Sequence, residues 1–220
     1  MKFSDVIASI IHDMKNSLGI VINTIDELVA ETDNRESDQL SMLQHESKRL
    51  NNNLIALLSL YKMEEGRLDA NVEEVYVRDF LEEVALDNQT LAETKNVDLD
   101  YLCEEGLVGY FDEWLMRGVI NNLIGNALRY TTSKISIHAG IEDSYLVFRI
   151  EDDGQGFPQS MIDAQTSFNR NNALNESNTQ LGIYFAAMVS QMHKNGDRSG
   201  YIELSNGHRL KGGCFSIRLP

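Results

Sequence analysis

The sequence predicts two unlike parts. An α-helical hairpin that forms a dimeric four-helix bundle is expected at residues 1–66, followed by an α/β sandwich domain at residues 67–220. Apolar residues recur at alternating spacings of three and four through the first 61 residues, which is typical of helices packed along a seam. Beyond Gly66 the pattern mixes period-two and helical stretches, which indicates one sheet covered by helices on one face.

The hairpin is predicted by two apolar seams separated by a polar stretch, Thr32–Asp38. The seam of the first helix consists of Ile7, Ile11, Met14, Leu18, Val21, Ile25 and Leu28. The seam of the second consists of Leu40, Leu43, Ser47, Leu50, Leu54, Leu57 and Tyr61. Because two helices cannot cover such a seam by themselves, we expect a homodimer that completes a four-helix bundle.

The elements of the second domain follow from local periodicity. The pattern predicts helices at Arg78–Lys95, Glu113–Leu128 and Leu181–His193, and strands at Val72–Val77, Val97–Leu102, Leu107–Phe111, Lys134–Ile141, Tyr145–Glu151, Gly200–Leu204 and Cys214–Leu219. The Asn-rich stretch Pro158–Gln180 is expected to be a solvated loop that acts as a lid. Phe111 and Trp114 are expected in the core.

Composition excludes several classes of protein. The 220 residues carry 19 basic and 34 acidic side chains, a net charge of −15 that disfavours nucleic-acid binding. The two cysteines lack C-x-x-C spacing, which argues against a zinc site or a disulfide framework. The longest apolar runs are too short to span a membrane and no export signal is visible, so we expect a cytoplasmic protein without a membrane span.

One candidate reactive group lies on the first helix. Asn16 follows His12 by one helical turn, and Asp13 is adjacent to His12 in sequence. A histidine beside a carboxylate is a nucleophile suited to phosphoryl transfer, and an amide can orient a water molecule. The alternative is that the three residues form the solvated face of an amphipathic helix.

A second group lies on the helix predicted at Glu113–Leu128. Asn122, Asn126 and Arg129 share one face. Amide oxygens are hard ligands suited to Mg²⁺ carrying a polyphosphate, and an arginine can contact phosphate. Such a stripe can also be plain solvated surface.

A third group follows the strand Tyr145–Glu151. Asp152 could accept a hydrogen bond from an exocyclic amine of a nucleotide base, while Gly154 and Gly156 would allow close approach of a ligand. The alternative is a simple D-G turn.

In this order, the three groups resemble the catalytic core of two-component sensor histidine kinases over nearly the whole chain. The phosphoacceptor box resembles residues 12–16, the asparagine box Asn122–Thr131 and the aspartate-glycine box Asp152–Gly156, and the family's ending resembles Gly212–Pro220. The resemblance implies a dimerisation and phosphotransfer hairpin followed by an ATP-binding domain of the Bergerat or GHKL type.

The resemblance also implies roles for individual residues. His12 would be phosphorylated, Asp13 would be its general base, and Asn16 would orient water for dephosphorylation of the partner. Asn122 and Asn126 would hold Mg²⁺. The remaining nucleotide-binding positions would be Arg129 at phosphate, Tyr130 packed on the nucleotide, Asp152 at the adenine amine, Gly154 and Gly156 beside it, Gly182 of the second glycine box, and Phe168 and Arg170 where the lid begins.

The implied function is that of an ATP-dependent protein histidine kinase. It would transfer phosphate from ATP to His12 and then to an aspartate on the receiver domain of a response regulator, in a phosphorelay, with phosphatase activity as a further expectation. Because the first helix starts within a few residues of Met1, we expect a sensor or input protein to act in trans, unless the chain is a piece of a longer protein.

Two other readings remain open. Where the family has a glycine run, residues 178–183 keep only Gly182, and Gln180 replaces a glycine. The chain could therefore be a histidine phosphotransferase or adaptor with a degenerate second domain that does not bind ATP. A helical-hairpin interaction protein in which neither site works is the third reading.

Overall fold

The computed structural model describes residues 69–168 and 178–220, with the backbone alone at 166–168 and 178–181. Before residue 69 it describes residues 14, 18, 19, 21, 22, 24, 25, 28, 43, 47, 50, 51, 54–59, 61, 62 and 66. The chain divides into two compact units, Met1–Leu68 and Asp69–Pro220.

The described residues of the first unit are helical between Met14 and Leu28 and between Leu43 and Lys62. Ile25 and Ala56 are buried. Six apolar residues are exposed, in two series with a spacing of seven: Met14, Val21 and Leu28, and Leu43, Leu50 and Leu57. Each helical stretch therefore presents an apolar stripe with heptad spacing. His12, Asp13 and Asn16 lie outside the described residues.

The second unit contains nine strands and four helices among its described residues. In chain order they are β1 (Glu73–Tyr76), α1 (Val77–Thr94), β2 (Asp98–Cys103), β3 (Val108–Phe111), α2 (Glu113–Tyr130), β4 (Lys134–Glu142), β5 (Tyr145–Asp152), α3 (Gln159–Phe168), α4 (Asn178–Met192), β6 (Lys194–Asn195), β7 (Arg198–Ser199), β8 (Tyr201–Asn206) and β9 (Gly213–Leu219).

Five strands form one mixed sheet in the order β2-β4-β5-β9-β8. The β2–β4 pair is parallel, and the other three pairs are antiparallel. Strands β1 and β3 pair separately, as do β6 and β7. The mixed sheet and its helices confirm the α/β part of the predicted fold.

The two faces of this sheet differ in chemistry. One face packs on helices, and Phe148 of β5 meets Phe80 of α1 and Phe111 of β3 at ring-centroid distances of 6.0 and 5.4 Å. The other face is polar and includes Arg149 and Glu151, both buried. Alternate residues of β5 therefore serve the apolar core and a polar layer behind the sheet.

Helix α2 is fixed at its start by two side chains. Asp112 caps it, because its Oδ1 accepts a hydrogen bond from the backbone N–H of Leu115 at 2.9 Å. The buried His193 ties α4 to the same point, since its Nε2 accepts from the backbone N–H of Asp112 at 2.9 Å. Burial lowers the pKa of His193, which keeps the ring neutral for this contact.

Two expectations are wrong. The segment expected to be a solvated loop contains helix α3, which starts directly after Pro158, a residue with a backbone preorganised for a helix start. Gln165 of α3 attaches this helix to the sheet, because its Oε1 accepts from the backbone N–H of Leu204 at 2.8 Å. Trp114 is 60% exposed rather than part of the core, whereas Phe111 is fully buried as expected.

Candidate functional site

The polar stripe on α2 is present as a pair of side chains one helical turn apart. Asn126 donates from Nδ2 to Oδ1 of Asn122 at 3.3 Å, and both side chains are partly buried. The opposite side of α2 is packed in the core through residues such as Ile120 and Ile124, which fixes the direction of the stripe. Arg129 lies in the last turn and is exposed.

Helix α4 packs directly on this stripe at a glycine. A Cβ placed on Gly182 would lie under 3.0 Å from Oδ1 of Asn122 and 3.4 Å from Nδ2 of Asn126. No larger residue fits without moving Asn122. The retained glycine of the second box therefore has a steric reason that the sequence alone did not show.

The loop after β5 presents a buried carboxylate. Asp152 is only 8% exposed, and its Oδ1 accepts from the backbone N–H of Gly154 at 2.8 Å. Burial raises the pKa of Asp152, although hydrogen bonds from the N–H groups of Gly154 and Gly213 act in the opposite direction. The carboxylate is thus held in place, with remaining acceptor capacity for a ligand N–H.

Glycines allow the backbone to come close at this loop. A Cβ on Gly154 would lie under 3.0 Å from the carbonyl oxygen of Tyr130, the last residue of α2. Gly156 has a φ of +79°, and a Cβ there would lie 2.6 Å from Oδ1 of Asn206. The contact at Gly154 brings the carboxylate loop against the end of the helix that carries the asparagines.

Asp153 joins the loop after β5 to the end of α2, a role that the sequence did not predict. Its Oδ1 accepts from the hydroxyl of Thr131 at 2.7 Å and from the backbone N–H groups of Thr132, Ser133 and Lys134 at 2.8, 2.9 and 3.1 Å. Desolvation opposes ionisation, but these hydrogen bonds outweigh it and hold the pKa of Asp153 far below its usual range. The turn between α2 and β4 is thereby built around one carboxylate.

Glu151 holds the loop between β8 and β9 and was also missed. It is 1% exposed. Its Oε2 accepts from the backbone N–H groups of Arg209 and Leu210 at 2.9 and 3.1 Å, and Nδ1 of His208 lies 2.8 Å from Oε1. Only the tertiary fold reveals these partners, because they lie more than 50 residues along the chain.

Among the described residues, Glu151, His208 and Cys214 bring potential metal-ligating atoms within 4.8 Å of one another. The hydrogen bonds from His208 and the loop already satisfy the Glu151 carboxylate. Burial raises the pKa of the Cys214 thiol, which disfavours the thiolate that a metal needs. We therefore assign this cluster to loop anchoring.

The structure thus brings most of the expected nucleotide-binding positions to one region of the second unit. Asn122, Asn126 and Gly182 are in contact, and Asp152 and Gly154 meet the end of α2 at Tyr130. The side chain of Tyr130 is exposed. Phe168 ends α3, but its side chain, like the whole of Arg170, lies outside the described residues.

The side chains of this region fit a nucleotide whose phosphates are bound to a hard cation. The amide oxygens of Asn122 and Asn126 are suited to Mg²⁺, and the buried Asp152 is suited to an amine on a base. The backbone of Gly212 and Gly213 packs directly against the Asp152 carboxylate, because a Cβ on either glycine would lie under 3.0 Å from that carboxylate.

Comparison with known families agrees with this geometry. Residues 111–220 match the family described as histidine kinase-, DNA gyrase B-, and HSP90-like ATPase. A curated relative, the sensor protein SrrB of Staphylococcus aureus strain NCTC 8325 / PS 47, is 26% identical over 226 aligned residues. The alignment covers 98% of this chain but 38% of that protein, so the chain spans well under half of this relative.

Solved structures share the fold at low sequence identity. Full-length ShkA in complex with AMPPNP aligns with a TM-score of 0.67 and 19% identity, over 98% of this chain and 45% of that one. The histidine kinase AdeS of Acinetobacter baumannii aligns with a TM-score of 0.61 and 18% identity, over 94% and 96%. Among the described residues, no helix has the length and apolar character needed to cross a membrane. The predicted resemblance to the catalytic core of sensor histidine kinases is confirmed, and the chain belongs to the family of histidine kinase-, DNA gyrase B-, and HSP90-like ATPases.

Proposed function

We propose that this chain is a cytoplasmic histidine protein kinase that takes the γ-phosphoryl group of ATP onto His12 and passes it to an aspartate on the receiver domain of a response regulator. The family match supports ATP as the donor, as does the likeness to full-length ShkA, whose structure is a complex with AMPPNP. One observation carries the proposal: Gly154 brings the buried Asp152 loop against the end of the helix that bears Asn122 and Asn126.

In this proposal the nucleotide lies between the asparagine stripe and the Asp152 loop. Asp152 accepts a hydrogen bond from the exocyclic amine of adenine, with Gly154 beside it. Asn122 and Asn126 hold Mg²⁺, which when bound neutralises charge on the phosphates. The exposed Arg129 is free to reach phosphate, and the ring of Tyr130 is free to pack on the nucleotide.

The reacting group is the imidazole of His12. A ring nitrogen forms a bond to the γ-phosphorus, the bond from that phosphorus to the β–γ bridging oxygen breaks, and ADP leaves with the electron pair. The ring proton passes to Asp13, which is adjacent in sequence. In the reverse direction of signalling, Asn16 orients the water that dephosphorylates the regulator.

The proposed protein is a homodimer that completes a four-helix bundle. The exposed residues Val21 and Leu50 belong to apolar stripes with a spacing of seven, one on each helical stretch. A second copy would cover these stripes by knobs-into-holes packing.

The first experiment is incubation of the purified chain with γ-labelled ATP and Mg²⁺, with the His12→Gln variant beside it. We expect acid-labile, base-stable label on the wild type and none on the variant. His45→Gln is the matched control and should label normally. Label that survives His12→Gln would refute the assignment of the phosphoacceptor.

The second candidate is a histidine phosphotransferase or adaptor without ATP binding. The observation in its favour is Gln180 at a position where the family has glycine, in the first turn of α4. Absence of both label and nucleotide binding, with transfer of phosphate to His12 from a phosphorylated regulator, would favour it over the kinase.

A further inference from the structure

Three consecutive acidic residues, Glu151, Asp152 and Asp153, bind three different parts of the second unit. Asp152 turns toward the proposed nucleotide, and Asp153 holds the turn after α2. Glu151 lies on the polar face of the sheet, opposite Cys214 of β9 and Ser136 of β4. It is the most buried of the three carboxylates, at 1% exposure.

A carboxylate this deeply buried needs compensation, and the β8–β9 loop supplies it. The backbone N–H groups of Arg209 and Leu210 donate to one oxygen, and the ring of His208 contacts the other. Three successive residues of one loop therefore converge on one carboxylate. Without that acceptor, two backbone N–H groups of the loop would lose their partner.

The same loop forms the wall behind Asp152. It is closed by a hydrogen bond from the N–H of Gly207 to the carbonyl of Gly212, and the N–H of Gly212 donates to the carbonyl of Asp152, both at 3.0 Å. A Cβ on Gly213 would lie 2.9 Å from Oδ2 of Asp152. A shift of the loop by a fraction of an ångström would therefore change the space around the Asp152 carboxylate.

We propose that Glu151 is a positioning residue for nucleotide recognition: it anchors residues 208–210, so that Gly212 and Gly213 fix the Asp152 carboxylate against the base. This inference rests on the proposed binding of ATP at Asp152. Glu151 itself touches no ligand and acts only through the loop.

The hydrogen-bond pattern predicts which substitutions matter. Glu151→Gln keeps one oxygen for the two backbone N–H groups, and its amide N–H can donate to His208 in the other ring tautomer. Glu151→Leu keeps the volume but removes every acceptor. Arg149→Met is the matched control, because Arg149 lies on the same face of β5 as Glu151 and the substitution breaks its ion pair with Glu142 of β4, which is partly exposed.

The test measures dissociation constants for ATP and GTP in the full chain, together with thermal unfolding and amide exchange without nucleotide. For Glu151→Leu we expect ATP affinity to fall about tenfold, GTP affinity to change far less, and the amides of Arg209 and Leu210 to exchange faster. Glu151→Gln should keep the preference of the wild type for ATP over GTP. Arg149→Met should lower the unfolding temperature and leave the ratio of the two constants unchanged.

If Glu151→Leu does not fold, Arg209→Pro removes one donor from the loop and leaves β5 intact, and the same loss of ATP selectivity is expected. The inference is wrong if the wild type binds ATP and the loop variants keep its selectivity, or if Arg149→Met loses selectivity equally. A wild type that binds no ATP would instead overturn the proposed function, and the positioning role with it.

Discussion

Asp152 shows how burial and backbone hydrogen bonds can prepare one carboxylate for its proposed ligand. Its carboxylate is desolvated and accepts hydrogen bonds from two backbone N–H groups, yet no described side chain donates to it. A base amine that donates to this oxygen would recover part of the desolvation cost. The sequence predicted Asp152 as the base-binding residue, but the residues that bury and position its carboxylate became visible only in the fold.

For Asp152→Asn we expect ATP affinity to fall about tenfold and the preference for ATP over GTP to shrink. The amide has one oxygen, so its NH₂ group would face a backbone N–H from Gly154 or Gly213. Titration calorimetry with both nucleotides measures the two affinities, and an unchanged preference for ATP would contradict a base-binding role of Asp152.

The ATP affinity of the wild type should also depend on pH. Because burial raises the pKa of Asp152, this affinity should decline on acidification at a higher pH than it would with an ordinary aspartate.

Asp153 is expected to stabilise the fold rather than to bind a ligand. Asp153→Ala removes the shared acceptor of the turn after α2 and should cost about 2 kcal/mol of unfolding free energy. Denaturant unfolding measures this loss of unfolding free energy. Glu82→Ala, on the exposed side of α1, is the control, because it removes the same charge. A loss no larger than that of the control would contradict this role.

The contribution of Asp153 also has a predictable pH dependence. The pKa of Asp153 is lowered in the folded chain, so the unfolded chain binds more protons between the folded pKa and the usual value of 3.8. The stabilisation is therefore fully present above that usual value and is lost as the pH falls below it. The gap between wild type and Asp153→Ala should narrow in that acidic range.

At the scale of elements, α2 and α4 meet where a side chain on Gly182 would displace Asn122. Gly182→Ala would place a methyl group against Asn122, so we expect Mg²⁺-dependent ATP affinity to fall about tenfold. Gly118→Ala in α2 is the matched control, because its nearest neighbour, the ring of Phe185, is 3.8 Å from the added carbon. That control should keep affinity and gain up to about 1 kcal/mol from helix propensity.

Calorimetry with and without Mg²⁺ distinguishes these outcomes. Equal ATP affinity in the Gly182→Ala variant and the wild type would contradict a role for this contact in the binding site.

Periodicity predicted the helices and strands whose two faces differ in polarity. Helix α2 and strands β4 and β5 lie within two residues of their expected bounds. Helix α3 was not predicted, because the Asn-rich stretch that follows it favours a loop and masks Pro158 as a helix start. The pairing of β1 with β3, apart from the main sheet, depends on tertiary packing that no local pattern encodes.

For the whole molecule, we expect the apolar stripes of the first unit to hold two copies together. The double variant Val21→Glu with Leu50→Glu places charges in both stripes and should yield a monomer in analytical ultracentrifugation. Leu86→Glu, at a 67% exposed apolar residue of α1, is the control and should leave the mass unchanged. ATP binding should survive in both, because the expected nucleotide residues lie beyond residue 69. A double variant that remains a dimer would contradict this surface.

The site as a whole could be predicted only in part. Residues proposed to face the nucleotide, such as Asn122 and Asp152, stand out because a polar residue interrupts an otherwise apolar pattern. Glu151 and Asp153 stand beside Asp152 in the same acidic run, and nothing local distinguishes their tasks. The fold separates them, since alternate residues of a strand leave on opposite faces.

The five-stranded sheet ends in two outer strands, and both carry features that discourage pairing with another chain. In β8 the outward N–H of Leu204 is occupied by the side chain of Gln165. In β2 the outer strand bears Asp98 and Asp100, which share the ammonium group of Lys134 at 3.2 and 2.7 Å. An occupied donor and a charged border are both known protections against edge-to-edge aggregation. Movement of α3 away from β8 would thus free this backbone donor and expose the sheet edge to self-association.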